Sequence, residues 1–226
     1  MSEWQNDPEL FEVARRELYT AVIGDICDQI GLRKQFLSPW MRPLQTGPGV
    51  PLMIGRAMTV LEADVFEDPA VGPPFGKMLD ALDDLKPNEV YVCAGASPRY
   101  ALVGELMATA MIARGATGAV CEGYVRDTEG ILALQFPVYS YGSYAQDQRR
   151  RGIVLDWRVP IEVSGVRIAP GDIVVGDVDG VLVVPSDSEA EVFTAALEKA
   201  RSEKTVQKAI ASGMTAGDAF DRYGIM

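Results

Sequence analysis

The sequence predicts an α/β fold with a parallel βαβ core, a β-rich second half and terminal helices. Three observations carry that expectation. Between Glu89 and Val125 a strand-like apolar run, a helical run and a second strand-like run follow one another at short spacing; from Trp157 the period shortens and turn dipeptides punctuate it; both ends of the chain carry apolar residues at helical spacing. At 226 residues the chain can bury a sizeable core, and no linker or internal repeat divides it, so a single domain spanning 1–226 is expected.

Each element has a local reason. In "PELFEVARRELYTAVIGDICDQIG", Leu10, Val13 and Leu18, then Val22, Ile26 and Ile30, recur near helical spacing, and Gly31 stops them, giving N-terminal helices over about 8–31. "SPWMRPLQTGPGVPL" reads as loop, and "GRAMTVLEA" (Gly55 to Ala63) as a strand. "DVFEDPAVGPPFGKMLDALDDLKPNE" reads as a flexible Pro/Gly loop and a short helix around Lys77 to Leu85 that Pro87 ends. "EVYVCAG" is then a strand, "GELMATAMIARGA" a helix closed by Gly115, and "TGAVCEGYV" a second strand. Such a crossover makes the two strands parallel, so their carboxyl ends open on one edge of a sheet. "TEGILALQ" and "FPVYSYG" add a short helix and a third strand. "WRVPIEVSGVRIAPGDIVVGDVDGVLVVP" is β-rich with Ser-Gly, Pro-Gly and Asp-Gly turns, and a charged helix over about 187–212 closes the chain.

Composition excludes several kinds of function. The chain has no histidine, so Ser/His/Asp and Cys/His triads, histidine-ligated zinc and imidazole acid/base catalysis are absent from it. A net charge of −11 argues against a nucleic-acid partner, which needs concentrated positive surface. No apolar run approaches a membrane span, and "MSEWQNDPEL" has neither the basic nor the apolar part of a secretory signal, so a cytoplasmic location is expected. Cys27, Cys93 and Cys121 sit in apolar segments without CxxC spacing and read as buried thiols.

What remains for chemistry gathers at the predicted carboxyl edge. One loop carries Gly95 to Tyr100 and then Gly104-Glu105-Leu106-Met107; another carries Arg126-Asp127. A helix starting near Gly104 leaves the amides of Glu105, Leu106 and Met107 without intrahelical acceptors, able to hold a small carboxylate, and glycine at 104 lets a ligand approach. Arg126 can stabilise charge developing on a substrate oxygen, and Asp127 can ligate a hard divalent cation such as Mg²⁺. The set suits enolate chemistry on a 2-oxo acid. Each element also has a structural reading. Local sequence favours Asp127 as an N-cap of the "TEGILAL" helix, and Glu105 complements a helix dipole. Asp172, Asp177 and Asp179 are turn residues, and Asp80, Asp83 and Asp84 a solvated helix face.

Glycine at 104, an acidic residue at 105, twenty intervening residues and Arg126-Asp127, with "ARGATGAVCEGYVRD" between, together with "SGVRIAPGDIVVGDVDGVLVVP", resemble the RraA-like family, which contains class II 4-hydroxy-4-methyl-2-oxoglutarate/4-carboxy-4-hydroxy-2-oxoadipate aldolases. The resemblance implies a swivelling β/β/α sandwich, assembled as a homotrimer or dimer of trimers with sites between subunits. It implies a metal-dependent lyase, an aldolase or oxaloacetate decarboxylase that releases pyruvate from a small 2-oxo acid. Carried over position by position, Gly104, Glu105, Leu106 and Met107 bind the pyruvyl carboxylate, Arg126 contacts the oxo and enolate oxygen, Asp127 ligates Mg²⁺ or Mn²⁺, and the acidic residue at 105 contacts water on the metal. The family's aldolases usually have aspartate at that last position, so Glu105 is a departure. The family also includes non-catalytic members that bind ribonuclease E, and members labelled as menaquinone methyltransferases; no glycine-rich nucleotide-binding loop supports the latter here.

Overall fold

The long strand β2 (Met53–Asp64) organises the fold, because it exchanges partners along its length. The computed structural model describes residues 3–47, 50–66 and 74–225; parts of the two Pro/Gly loops expected from sequence, 48–49 and 67–73, lie outside the described residues. The first half of β2 pairs antiparallel with β11 (Ile173–Asp177), and its second half pairs antiparallel with β8 (Gly152–Trp157) through a bulge between Leu61 and Glu62. On its other edge β3 (Glu89–Ala94) runs parallel, followed by β5 (Gly118–Cys121) and β7 (Val138–Ser140), both parallel. The short β1 (Arg42–Pro43) and β12 (Gly180–Val184) close the two ends, giving the order β1-β7-β5-β3-β2-β11-β12.

Alternation along these strands builds three layers. On one face Ile54, Ile173, Val175 and Leu182 are covered by α1 (Asp7–Glu17), α2 (Thr20–Gln29) and α6 (Glu189–Ala211). Further along that face Met58, Val60, Tyr91, Cys93 and Cys121 are covered by α3 (Met78–Asp83), α4 (Glu105–Ala113) and α5 (Thr128–Ala133). The opposite face, with Ala57, Val90, Val92, Val120 and Val174, packs on the hairpin β9 (Ile161–Val163) and β10 (Val166–Ile168). That hairpin turns through Ser164 and Gly165 at φ +53° and +81°, the paired left-handed residues of a tight turn that follows strand twist. Helix, sheet and hairpin make a β/β/α sandwich with a parallel core. Among the described residues no helix is long and apolar enough to cross a membrane.

The N-terminal helices expected over about 8–31 are two, parted at Leu18 and Tyr19, both extended, and α2 starts where Asp177 accepts from the Thr20 amide and hydroxyl, each at 2.7 Å. Other expectations are corrected. "TGAVCEGYV" is not one strand: it leaves the sheet at Glu122-Gly123, and its end forms β6 (Tyr124–Val125) against β4 (Ala101–Val103). The chain does not finish its helical structure near 212, because α7 (Ala216–Tyr223) follows, its first turn closed by Thr215 accepting from the Asp218 amide at 3.1 Å. The Thr-x-x-Asp capping pattern that marks it was present in the sequence. Asp84 is not simply solvated: it accepts from Trp157 Nε1 at 3.0 Å and pairs with Arg158. Asp172 is structural as expected, accepting from the amides of Ala169 and Ser186. The three cysteines are buried, and burial pushes the Cys27 thiol up to about 11.

Candidate functional site

The site forms where the chain steps out of the main sheet. The Glu122 amide still bonds Cys93 O at 2.9 Å, but Gly123 turns back on Cys121 O at 2.7 Å, and a Cβ there would stand 2.9 Å from Leu102 Cδ1. Glycine at 123 leaves the buried Leu102 side chain room against this step. Pairing of β6 with β4 then sets Val125 opposite Val103, and the Arg126 amide donates to Val103 O at 2.9 Å. This small parallel ladder, rather than the main sheet edge, brings Gly104 and Arg126 side by side.

The loop before β4 is fastened by Asp64, the last residue of β2. Its carboxylate accepts from the Ser97 amide at 3.0 Å, Tyr100 OH at 2.8 Å and Arg99 Nη2 at 2.7 Å. Burial by itself would raise the Asp64 pKa, but donation from Ser97, Tyr100 and Arg99 overrides it and holds the carboxyl well below the usual range. Nothing in the local sequence of Asp64 marks this role.

Asp127 occupies the N-cap position of α5 but does not cap it with its side chain. Its backbone is left-handed, at φ +56°, and its carbonyl accepts from Ile131 N at 3.1 Å, while its carboxylate turns away. Oδ2 lies 3.4 Å from the Glu105 amide at the start of α4 and 3.3 Å from Arg126 Nε. Gly104 is extended, at φ −130°, a conformation open to any residue, yet a Cβ there would lie 2.6 Å from Asp127 Oδ2. Glycine there leaves the Asp127 carboxylate its present place, which a methyl group would take from it.

Arg126 is held from two sides, by Asp127 through Nε and by Asp147 Oδ1, 3.0 Å from its Nη1. Asp147 was not singled out in the sequence; it belongs to the loop "YGSYAQDQRRRG", which is tied to β4 through Ala101 N donating to Gln146 O at 2.8 Å. Glu105 points elsewhere. A Cβ on Gly130 would lie 2.3 Å from its carboxylate, so the side chain rests across the backbone of α5. Its extra methylene relative to aspartate carries the acid there, and Gly130 leaves room for it.

Gly104, Leu106, Met107, Arg126 and Asp127 line one cleft of about 400 Å³ together with Phe75, Leu79, Leu102, Asp147 and Gln148; Glu105 stands outside that lining. The first intrahelical bond of α4 is Ala108 N to Gly104 O at 3.0 Å, so the amides of Leu106 and Met107 have no acceptor within the helix. Two free amides, a guanidinium and an apolar wall suit a small carboxylate bearing a polarisable oxygen.

The donor set also fits a hard divalent cation. Asp127 is 41 % exposed at its side chain, does not cap α5 with it, and among the described residues makes only long contacts, 3.3 to 3.4 Å, with the Glu105 amide and Arg126 Nε. No group of three or more His, Cys, Asp or Glu side chains among the described residues is arranged to hold a metal ion. A cation here would take one carboxylate and complete its shell with water and substrate oxygens, as Mg²⁺ readily does.

A family model described as "RraA-like: Aldolase/RraA" matches residues 20–183. A protein of Halalkalibacterium halodurans named "Putative 4-hydroxy-4-methyl-2-oxoglutarate aldolase" is 32% identical over 206 residues, covering 91% of this chain and 90% of that one. "Protein DlpA" of Legionella pneumophila is 30% identical over 205 residues, 90% of this chain but 32% of its own length, so the chain spans about a third of that relative. Among solved structures, Streptomyces coelicolor RraAS2, described as "an unusual member of the RNase ES inhibitor RraA protein family", superposes with a TM-score of 0.77 at 25% identity, covering 90% of this chain and 98% of that one.

Proposed function

The chain belongs to the RraA-like family, and from that premise we propose that it is a divalent-metal-dependent carbon–carbon lyase that releases pyruvate from a small 2-oxo acid. The observation that carries this reading is the meeting of Arg126 and Asp127 with the amino end of α4 across Gly104. The amides of Leu106 and Met107 would hold the substrate carboxylate. Arg126, oriented by Asp147, would donate to the oxo oxygen and strengthen its hold as that oxygen gains enolate charge. Asp127 would hold Mg²⁺ or Mn²⁺, which when bound supplies Lewis-acid polarisation of the oxo group. Leu102, Phe75 and Met107 would keep bulk water from the enolate. Glu105 enters the reaction only by swinging off Gly130, which its exposed side chain permits. Assembly as a homotrimer or dimer of trimers belongs to the same reading; Leu106, 85% exposed at the cleft, is an apolar residue that a neighbouring subunit would cover.

Pyruvate release from 4-hydroxy-4-methyl-2-oxoglutarate and from oxaloacetate, measured with Mg²⁺ and with chelator, tests the proposal. Turnover is expected with metal and loss of it with chelator; turnover that survives chelation overturns the mechanism. Gly104→Ala gives a more local test. The added methyl displaces the Asp127 carboxylate without straining the backbone, and misplacement of this kind is expected to cost about 100-fold in kcat/KM with the melting temperature little changed. A variant that keeps full activity would show that the carboxylate's present position is unimportant.

The likeness to RraAS2 supports a second reading, in which the protein regulates a ribonuclease by binding it. A chain that binds neither Mg²⁺ nor 2-oxo acids, yet lowers the activity of a purified ribonuclease, would favour it.

A further inference from the structure

Glu62 is a buried acid that the site as described does not use. It stands on β2 in a row with Met58 and Val60, on the face covered by α3, α4 and α5, and is 2% exposed. Gln148 Nε2 donates to its Oε2 at 2.6 Å, whereas Oε1 has no hydrogen-bond partner among the described residues. The titratable groups around it are the Cys93 thiol and Tyr91 hydroxyl of β3, the Cys121 thiol of β5, and the Tyr100 hydroxyl of the loop before β4, which in turn holds Asp64 and lies beside Arg99. Val154 of β8, opposite it, is apolar. Gln148 adjoins Asp147, and Asp147 grips Arg126 Nη1 at 3.0 Å. The carbonyl of Gln148 further accepts from Arg151 N and Gly152 N at 2.8 and 3.0 Å, so this residue anchors the whole turn into β8.

We propose that Glu62 is a positioning residue: as a neutral carboxylic acid it pins Gln148 to the core and, through the adjoining Asp147, fixes the direction of the Arg126 guanidinium in the cleft. One oxygen accepts from Gln148 and the other carries the proton. Burial pushes the Glu62 pKa up to about 8, with donation from Cys93 and Gln148 offsetting only part of the rise. Ionisation above that pH puts a charge in the core, draws in water and loosens the turn that carries Asp147.

The test compares the wild type with Glu62→Gln, Glu62→Leu and Gln148→Leu. Glutamine keeps the acceptor and cannot ionise; leucine removes it. Hydrogen exchange of amides 145–153, corrected for the intrinsic rise with pH, is expected to quicken about tenfold in the leucine variants at pH 7 and in the wild type above pH 8, and to stay slow in Glu62→Gln at both. Stability gives an independent reading if a leucine variant does not fold. The unfolded carboxyl loses its proton near 4.5 and the folded one near 8, so the stability present below pH 4.5 is lost as pH rises towards 8. The folding constant of Glu62→Gln relative to wild type should therefore rise by up to about tenfold per pH unit across that window and level off above it. The kinetic arm rests on the lyase reading: Glu62→Leu should lower kcat for pyruvate release more than it changes KM, the wild type's kcat should fall above pH 8, and Glu62→Gln should rescue the rate and abolish that fall. Unchanged exchange at 145–153 in the folded leucine variants, or the same pH dependence in Glu62→Gln as in wild type, overturns the proposal. If no variant, nor the wild type, releases pyruvate, the lyase reading fails while exchange and stability still decide the role of Glu62.

Discussion

Arg126→Ala is expected to lower kcat for pyruvate release by about 100- to 1,000-fold, the loss typical of removing a preorganised donor from a developing oxyanion. On the proposed reading the loss should fall on kcat more than on KM. The substrate carboxylate would have its own seat at the amides of Leu106 and Met107, which have no acceptor within α4, so ground-state binding would not depend on the guanidinium. The guanidinium would meet the oxygen whose charge grows as the carbon–carbon bond breaks. Arg126→Lys should recover little, because one ammonium cannot face Asp127, Asp147 and the substrate oxygen together, as a planar fork does. Single-turnover and steady-state rates, taken at saturating Mg²⁺, check both variants. Equal effects on substrate affinity and on turnover would show that Arg126 only binds. No effect at all would remove it from the site.

How much of this was legible in the sequence differs from residue to residue. The parallel core was readable because Val90 to Ala94 and Gly118 to Cys121 are continuous apolar runs on either side of a helix, and burial on both faces leaves that mark. That Gly104 and the Arg126-Asp127 pair would lie close together was readable because a βαβ unit opens its two strand ends on one side. The step at Gly123 was not, since an apolar run records burial but not which sheet does the burying. The side-chain direction of Asp127 was beyond reach for a similar reason: a local pattern predicts a local bond, and the competing partners, Glu105 N and Arg126, lie on the far side of a register that only the folded chain sets. Asp147, Asp64 and Glu62 act through contacts 21 to 86 residues away in sequence, where no spacing rule applies. The same holds for Glu105: the acid beside Gly104 was visible, its lean onto Gly130 was not.

The case of Asp127 decides between the structural and the functional reading most cleanly, because asparagine separates them. Asparagine caps helices about as well as aspartate and tolerates the left-handed region. Asp127→Asn therefore keeps the size, the φ of +56° and an acceptor for the Glu105 amide, and removes only the charge. Were the residue a cap, the variant should behave like the wild type in every assay. If it holds the cation, Mg²⁺ dependence should vanish and the rate fall by at least about 100-fold, since Lewis-acid stabilisation is worth several kcal/mol and each 1.4 kcal/mol is tenfold. The melting temperature should move little in either case, which protects the comparison from a folding defect. Asp127→Ala makes a poorer test, because alanine at positive φ costs about 1–2 kcal/mol and would mix strain with lost charge. The charge also balances Arg126, so Asp127→Asn frees one side of the guanidinium to lean towards Asp147. An arginine drawn off the substrate oxygen would deepen the fall in kcat at saturating substrate. Isothermal titration of Mg²⁺ into wild type and Asp127→Asn separates the two contributions. Lost metal binding with the oxo acid still bound assigns the carboxylate to the cation, and unchanged metal binding with a slowed rate assigns it to the orientation of Arg126.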